Sequence, residues 1–448
     1  MGFKFNQLLR AILAGGGVAS VQLPQLGSLV ARWSVDAITP VADGTAIPSW
    51  TDSVGGLSAV QATGAKQPLY KTNRLNGKPS LLFSGGQLMT AGTPAAIVTP
   101  MTNKVITIMV IFKGVTATTY GALYSGSNAL SGSWLLYADA TRVGRYNGSN
   151  LSTAALHSGS GFTSIAFTME DTTAFSSGTR QERLYINGGC VGASPAVPDG
   201  TNDSIGFGGR AADSGLNLKG EVFDYLFWNQ ALTPAEVATA HAWACEKYAQ
   251  ATPWSAGSKF YAFHGDSETM GTGTTAPEST YPYKVAASLG LSYGQWSNIG
   301  VGGITINNMT AKAPTQVDPL AAATGKTLVV PCFEYYNSKA AHPTPANQMI
   351  TYLQARRAAG CKIVFATSMD SFLANSTDRG NYNSYWDSNY ATYTDAYAPI
   401  HTNSNIGIVG ACGASQPSTY FTDTIGHPTA AGYTVLAGLM TTAINALP

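Results

Sequence analysis

Three residues of this chain have the side chains that acyl transfer requires: Ser267, Asp423 and His427. A serine hydroxyl becomes a nucleophile when an imidazole takes its proton. The imidazole serves best when a carboxylate orients it and offsets the charge it acquires. Ser267 lies in Lys259–Thr269, K-F-Y-A-F-H-G-D-S-E-T. Phe260 to Phe263 form an apolar, aromatic run too short for a helix, broken at once by Gly265-Asp266-Ser267. A glycine directly after a buried strand lets the backbone turn sharply. The turn leaves the Ser267 hydroxyl at the carboxyl end of the strand, where open α/β sheets keep their chemistry. His427 precedes Pro428, which opens the last helical stretch, so it belongs to a loop that a parallel sheet directs toward Ser267.

The negative charge that develops on an attacked carbonyl needs donors. The candidates are the backbone N–H groups of Ser267 and Gly303 and the side-chain amide of Asn337. A glycine lets bare backbone approach the substrate oxygen, and an asparagine donates without carrying charge. Taken singly, each of these residues is an ordinary loop residue; it is their joint order that points to a site. The other histidines fit less well. His157 and His241 belong to a β-rich region and its helix, and His342 and His401 to polar loops. His264 is a strand neighbour of the turn and faces away from it by alternation.

These residues need a scaffold, and from 258 onward strand-like and helix-like runs alternate. Strands are expected at Phe260–Phe263, near Gly294–Asn298, and at Leu328–Phe333, Lys362–Thr367 and Ile406–Ala411. Helices are expected around 279–289, 345–359, 382–398 and 429–446. Alternation of this kind predicts a parallel sheet covered on both faces. In the helix Pro345–Ala359, Met349, Tyr352 and Leu353 share one stripe, while Arg356 and Arg357 are expected to face outward or cap its end.

Residues 25–232 read as all-β. Alternating runs such as Val105–Phe112, Phe162–Met169 and Arg183–Ile186 recur between Gly, Ser, Asn and Asp turns. Asn187-Gly188 after such a run is a strong hairpin signal. Many strands with little helical periodicity predict two packed sheets. Thr233-Pro-Ala-Glu236 is a capping box with proline at the first helical position, opening an amphipathic helix to about Lys247.

Four blocks in the second half carry a resemblance. They are Gly265-Asp-Ser267 with Thr269; Asn298-Ile-Gly-Val-Gly-Gly303-Ile-Thr305; Leu328 to Asn337; and Asp423-Thr-Ile-Gly-His427-Pro-Thr-Ala-Ala-Gly-Tyr433. In this order they resemble the SGNH hydrolases, also called the GDSL esterases. The resemblance implies a flavodoxin-like three-layer domain with a parallel sheet, which hydrolyses esters or acetyl groups with neither metal nor cofactor. Two departures stand out. The family's asparagine block reads Gly-x-Asn-Asp, whereas this chain has Tyr335-Tyr336-Asn337-Ser338. Three residues rather than two separate Asp423 from His427. Either the loop bulges so that Asp423 reaches His427, or a backbone carbonyl orients the imidazole and a dyad operates.

The first half carries another. Trp33-Ser-Val-Asp36, Trp50-Thr-Asp52, Lys78 to Gly85, Arg183-Leu-Tyr-Ile-Asn-Gly188 and Gly220 to Asn229 resemble the laminin-G-like, concanavalin-A-type jelly roll. That family accompanies secreted catalytic domains, and its motifs specify fold rather than ligand. The expected plan is a segment 1–24 that docks the chain to a larger particle, a β-sandwich over 25–248, a linker 249–257 and the hydrolase domain 258–448.

Composition narrows the setting. Charged residues make up 11% of the 448 and the net charge is +1. Nucleic acid, which calls for a basic footprint, is excluded as a partner. No apolar run is long enough to span a bilayer. Five scattered cysteines without C-x-x-C spacing argue against zinc and against a disulfide framework. Asp36 and Asp52 are of the type that ligates calcium, although turns use aspartate for simpler reasons. The low-charge surface fits an extracellular or virion-surface protein that meets polyols.

The reading is therefore an esterase removing O-acetyl or similar acyl groups from a polysaccharide that the sandwich binds or positions. Tyr335, Tyr336 and Trp386 are candidates to stack on sugar rings. A phage tail-spike or fibre enzyme is the analogy, and such proteins are usually homotrimers. The alternative is a non-enzymatic receptor-binding adhesin with a degenerate hydrolase domain. A lipase fits less well, since no long apolar lid segment is present.

Overall fold

The computed structural model describes residues 20–448 except 93–94, 104, 117–119, 127–134, 147–149, 155–160, 171–180, 196–204, 211–215, 275, 372–375 and 414–416. The proposed docking segment lies mostly outside the described residues, as does His157.

The first half contains two antiparallel sheets, each of eight strands among the described residues. The strand Ile106–Lys113 explains the layering. It pairs with Thr163–Glu170 on one side and Lys219–Trp228 on the other. Its residues are apolar at successive positions because both of its faces are covered. Ile108, Val110 and Phe112 enter the core between the sheets, with Phe167, Phe207 and Phe227. Met109 and Ile111 point the other way, toward Val237, Ala240 and Ala244 of helix α1 (Pro234–Lys247). The capping box that opens α1 forms as expected: the Thr233 N–H donates to the Glu236 carboxylate at 2.8 Å, and the Glu236 N–H returns to the Thr233 hydroxyl. Asp52 accepts backbone bonds from Val54 and Gly55 at 2.8 and 2.7 Å, and Asp36 pairs with Lys247 at 3.1 Å, so both serve turns and ion pairs. All five cysteines are free and buried.

In the second half, β1 (Lys259–Gly265), β2 (Trp296–Asn298), β3 (Thr327–Phe333), β4 (Lys362–Ala366) and β5 (Ala396–Ala398) form one parallel sheet in the order β2-β1-β3-β4-β5. Its helices are α2 (Ser267–Met270), α3 (Tyr281–Ser288), α4 (Ile306–Gln316), α5 (Pro319–Thr324), α6 (Thr344–Ala358), α7 (Ser376–Tyr393) and α8 (Ala430–Asn445). Val329 and Val364 face α3 and α8, while Leu328, Val330, Ile363 and Phe365 face α4, α6 and α7. From β1 the chain goes first to one neighbour and then to the other. The crevice at the carboxyl end of β1 is therefore a topological switch point, the place where such sheets bind ligands.

Three expectations need correction. Residues 406–411 are not a strand; the fifth strand is Ala396–Ala398, within the stretch expected to be helical, and α7 ends at Tyr393. The Asp370 carboxylate takes the N–H groups of Gly410 and Cys412 at 2.9 and 2.8 Å, and Arg379 takes the Gly407 carbonyl at 2.8 Å. Those side chains satisfy backbone groups that a ladder would otherwise use. Arg356 does not face outward: it is buried and paired with Asp318. Helices α4 and α5 were not expected, because Pro314 and a run of asparagines obscure the helical period of the first and the second is short.

The halves meet along a continuous surface. Ala235 and Ala238 of α1 share a core with Phe260 and Leu320, and Trp254, within the stretch read as linker, is buried there too. The hairpin of strands Gln181–Ile186 and Gly189–Pro195 turns at Asn187 and Gly188, with φ of 50° and 86°, the left-handed pair that a two-residue turn requires. This hairpin docks on β2, and the Cys190 N–H donates to Ser297 Oγ at 3.1 Å. A Cβ on Gly189 would collide with the Trp296 carbonyl and lie 2.9 Å from Gly294 Cα. We expect Gly189→Ala to cost about 1–3 kcal/mol through forced backbone displacement. A thermal unfolding curve coincident with that of the wild type would contradict this docking.

Candidate active site

Ser267 is the first residue of α2, directly after β1, and the preceding Asp266 caps the turn by accepting the Glu268 N–H at 3.1 Å. From the other end of the domain, the loop before α8 brings in His427. Its Nε2 lies 3.0 Å from Ser267 Oγ, and its Nδ1 lies 2.6 Å from Asp423 Oδ2. With Nδ1 donating to the carboxylate, Nε2 is left as the acceptor for the serine hydroxyl.

The extra residue between Asp423 and His427 is absorbed by a turn wound around the carboxylate. Asp423 Oδ1 accepts the N–H groups of Ile425, Gly426 and His427 at 3.0, 3.0 and 3.1 Å. One oxygen therefore shapes the loop and the other holds the imidazole. Burial alone would raise the Asp423 carboxyl; the bond and charge of His427 with the backbone donors outweigh it, and the group sits below the usual carboxylate range. Of the two arrangements left open by the sequence, the structure contains the one in which Asp423 reaches the imidazole.

The glycine block follows β2. Gly303 occupies the second central position of the turn Val301–Ile304, at φ 72°, and the turn is closed by the Ile304 N–H to the Val301 carbonyl at 3.2 Å. Gly300 packs on the helix that begins at Ser267: a Cβ there would collide with Met270 N. Asn298 locks the same segment, its Oδ1 accepting the Gly300 N–H at 3.0 Å. Sequence reasoning singled out Gly303 and missed Gly300, whose need for a bare backbone shows only once α2 lies against the loop.

Asn337 Nδ2 donates to Asp266 Oδ2 at 3.3 Å, which places the amide beside the residue preceding the nucleophile. The amide has a second hydrogen to give. The departure at Tyr335-Tyr336-Asn337-Ser338 has a local compensation. Glu334 Oε1 accepts the N–H groups of Asn337 and Ser338 at 2.6 and 3.2 Å, and Ser338 Oγ accepts the Ile306 N–H at 2.7 Å. The carboxyl of Glu334 thus bends the asparagine loop, while Ser338 ties it to α4.

Tyr335 and Tyr336 line a cleft with Asp266, Glu268, Met369 and Ile425. Tyr335 is buried, its ring 4.8 Å from that of Tyr382, whereas Tyr336 is half-buried with the Lys339 ammonium 4.0 Å over its ring. Trp386 is sealed beneath Phe365 and Tyr382 and presents no face to a sugar. Of the remaining described histidines, His342 packs its ring 5.6 Å from that of Tyr385, and the other three are hydrogen-bonded elsewhere. His264 bonds Tyr352 at 2.8 Å, and burial, helped by Arg356, Arg183 and Lys312, lowers it to about 3. His401 lies between Thr367 and Asp387, and His241 bonds Ser164.

Glu268 is a second feature the sequence did not announce. Its Oε2 lies 3.3 Å from Ser267 Oγ, a longer contact than the one to His427. Asp266, Glu268 and Glu334 thus form a cluster of carboxyl groups, of which Glu268 touches Ser267. Burial first, then Glu268 and Glu334, raises Asp266 well above the usual range. Burial likewise pushes Glu334 up to about 8 despite its backbone donors.

No family model matches the sequence, and no curated protein matches it. Solved structures do. Domain 4 of AbnA, a GH43 extracellular arabinanase from Geobacillus stearothermophilus, is 17% identical over 48% of this chain and 98% of that domain, with a TM-score of 0.36. Trypanosoma rangeli sialidase is 14% identical with a TM-score of 0.36; the match covers 53% of this chain and 35% of the sialidase. TesA is 18% identical over 41% of this chain and 97% of its own, with a TM-score of 0.33. Likenesses this distant assign no role to any side chain of the site.

Glu334 gives the site a signature in stability. Its folded value of about 8 stands above the 4.5 of an ordinary glutamate. The stabilisation it contributes is complete below the lower value and is lost as pH rises through the higher one. We expect the wild-type Tm to fall across that window and Glu334→Gln to flatten the fall. Parallel pH–Tm curves for the two proteins would contradict a protonated Glu334.

Proposed function

We propose that this chain is a serine ester hydrolase of the SGNH type that removes O-acetyl or similar short acyl groups from a glycan. The observation that carries the reading is the unbroken line from Asp423 Oδ2 through His427 to Ser267 Oγ, with contacts of 2.6 and 3.0 Å. Ser267 Oγ attacks the acyl carbon while His427 Nε2 takes the hydroxyl proton. The same nitrogen then returns that proton to the leaving sugar oxygen, and water, activated by the imidazole, releases the acyl group from the serine. Asp423 keeps Nδ1 protonated and offsets the charge of the imidazolium. The N–H groups of Ser267 and Gly303 and the amide of Asn337 are the proposed donors to the oxyanion.

The glycan part of this reading rests on the sequence resemblance and on the tyrosines of the cleft. The cleft sets carboxyl groups, Arg379, Ser368, Ser371 and two tyrosines beside Phe333, Met369 and Ile425, a mixed lining that suits a hydroxyl-rich substrate. The extracellular or virion-surface setting, the docking segment and a trimeric state belong to the same proposal. The adhesin alternative draws on the spacing of Asp423 and on the altered asparagine block; the turn around Asp423 and the loop held by Glu334 support the hydrolase reading instead.

Hydrolysis of p-nitrophenyl acetate tests the proposal. Ser267→Ala is expected to lower kcat by about 10⁴-fold or more, down to background. Equal rates for variant and wild type would leave a scaffold without this chemistry. Asp423→Asn is expected to lower kcat by roughly 10³–10⁴-fold with little change in KM, as for the loss of an imidazole's orienter. A drop below tenfold would show that another group holds Nδ1.

A further inference from the structure

Two side chains of the β-rich half stand against the backbone of the glycine block. Gln181 Nε2 donates to the Gly300 carbonyl at 2.8 Å, and Arg183 Nη1 donates to the Asn298 carbonyl at 3.3 Å. They are also joined to each other, since Arg183 Nη2 donates to Gln181 Oε1 at 3.2 Å. That bond fixes which end of the Gln181 amide faces the loop, because only the nitrogen can donate to a carbonyl. All three contacts are buried. Arg183 is steadied in turn by Glu170, 3.8 Å away, which also binds Lys312 of α4 at 2.7 Å.

The clamped carbonyls flank the part of the loop that touches the nucleophile's helix. Gly300 has no room for a side chain against Met270, and the neighbouring Val301 N–H donates to the Gly265 carbonyl at 3.0 Å. The loop is thus pinned by β1 and α2 and also by the sandwich. Gly303, which carries the proposed oxyanion N–H, follows within the same turn. A donor displaced by a fraction of an ångström loses much of its effect on a developing charge.

We propose that Gln181 and Arg183 are positioning residues for acyl transfer, so that the β-sandwich completes the oxyanion site rather than merely delivering a glycan to it. The inference rests on the hydrolase reading above. Neither residue touches substrate. They act by fixing the Asn298–Gly303 backbone, whose amides must be in place before the carbonyl oxygen gains charge. Both halves then form one catalytic unit, and the second half alone lacks the support of its glycine block.

The test uses the full chain and Gln181→Met, which preserves length and apolar volume but removes the donor. Rates on p-nitrophenyl acetate, Tm, and the rate of Ser267 labelling by a fluorophosphonate are measured together. Labelling passes through the same oxyanion donors without a deacylation step. The expected result is a 10–100-fold fall in kcat and in labelling rate, below the cost of deleting a donor outright, with KM changed less than about twofold. Wild-type kcat and labelling in the variant overturn the clamp, whatever happens to Tm. Should Gln181→Met not fold, Arg183→Lys, which keeps the charge and loses the fork, is read by the same criteria. Failure of the wild type itself to hydrolyse the ester or label at Ser267 overturns the hydrolase reading, and the clamp with it. Activity in the wild type with an unaffected variant overturns the clamp alone.

Discussion

An imidazole has two nitrogens, and His427 can accept a proton at one only while the other is held. Asp423 meets that condition at 2.6 Å, and its second oxygen gathers three backbone N–H groups of the loop that carries the histidine. The carboxylate thereby builds the loop and orients the ring with the same charge. Removing it would disturb both the loop and the ring that the loop carries. The rest of the second domain arranges that this loop ends up opposite the tip of β1. The last helix packs on one face of the sheet, and β1 lies where the strand order reverses.

A second constraint acts on the opposite side of Ser267. Three carboxyl groups, Asp266, Glu268 and Glu334, stand near Ser267, where the proposed reaction would develop negative charge. Left ionised, they would oppose that charge. Burial keeps Asp266 and Glu334 toward their neutral forms, with Glu334 near 8, and converts them from repelling groups into loop-shaping ones. Tyr335 and Tyr336, which precede Asn337, line the same cleft as Asp266 and Glu268.

Much of this was legible in the sequence, for identifiable reasons. Gly265-Asp266-Ser267 after an aromatic run fixes where a strand ends, and Pro428 after His427 fixes where a helix begins. Both are local signals, and chain order then supplies the meeting. The hairpin at Asn187-Gly188 and the Thr233–Glu236 capping box are local in the same way. What could not be read depended on partners far along the chain. The apolar run 406–411 alternates like a strand, yet Asp370 and Arg379 claim its backbone. Arg356 sits at a helix end, where a cation is ordinarily solvated, but Asp318 draws it inside. Trp386 looked available for a sugar because Phe365, on a strand well before it in the chain, gives no sign of covering its ring. Gln181 carries no signal and Arg183 reads only as the start of an alternating strand; the docked hairpin gives both a role.

The buried hairpin–strand contact also bears on how such a chain can be inherited. A module tethered by a slack connector can be exchanged for another by recombination, with each partner keeping its core. Here Gly189 admits no side chain against Trp296, Cys190 bonds Ser297, and Trp254 fills a cavity shared by both halves. A crossover at residue 250 or so would leave those surfaces facing a stranger. Descent should therefore have kept the two halves together, with the hairpin and the second strand of the parallel sheet changing in step.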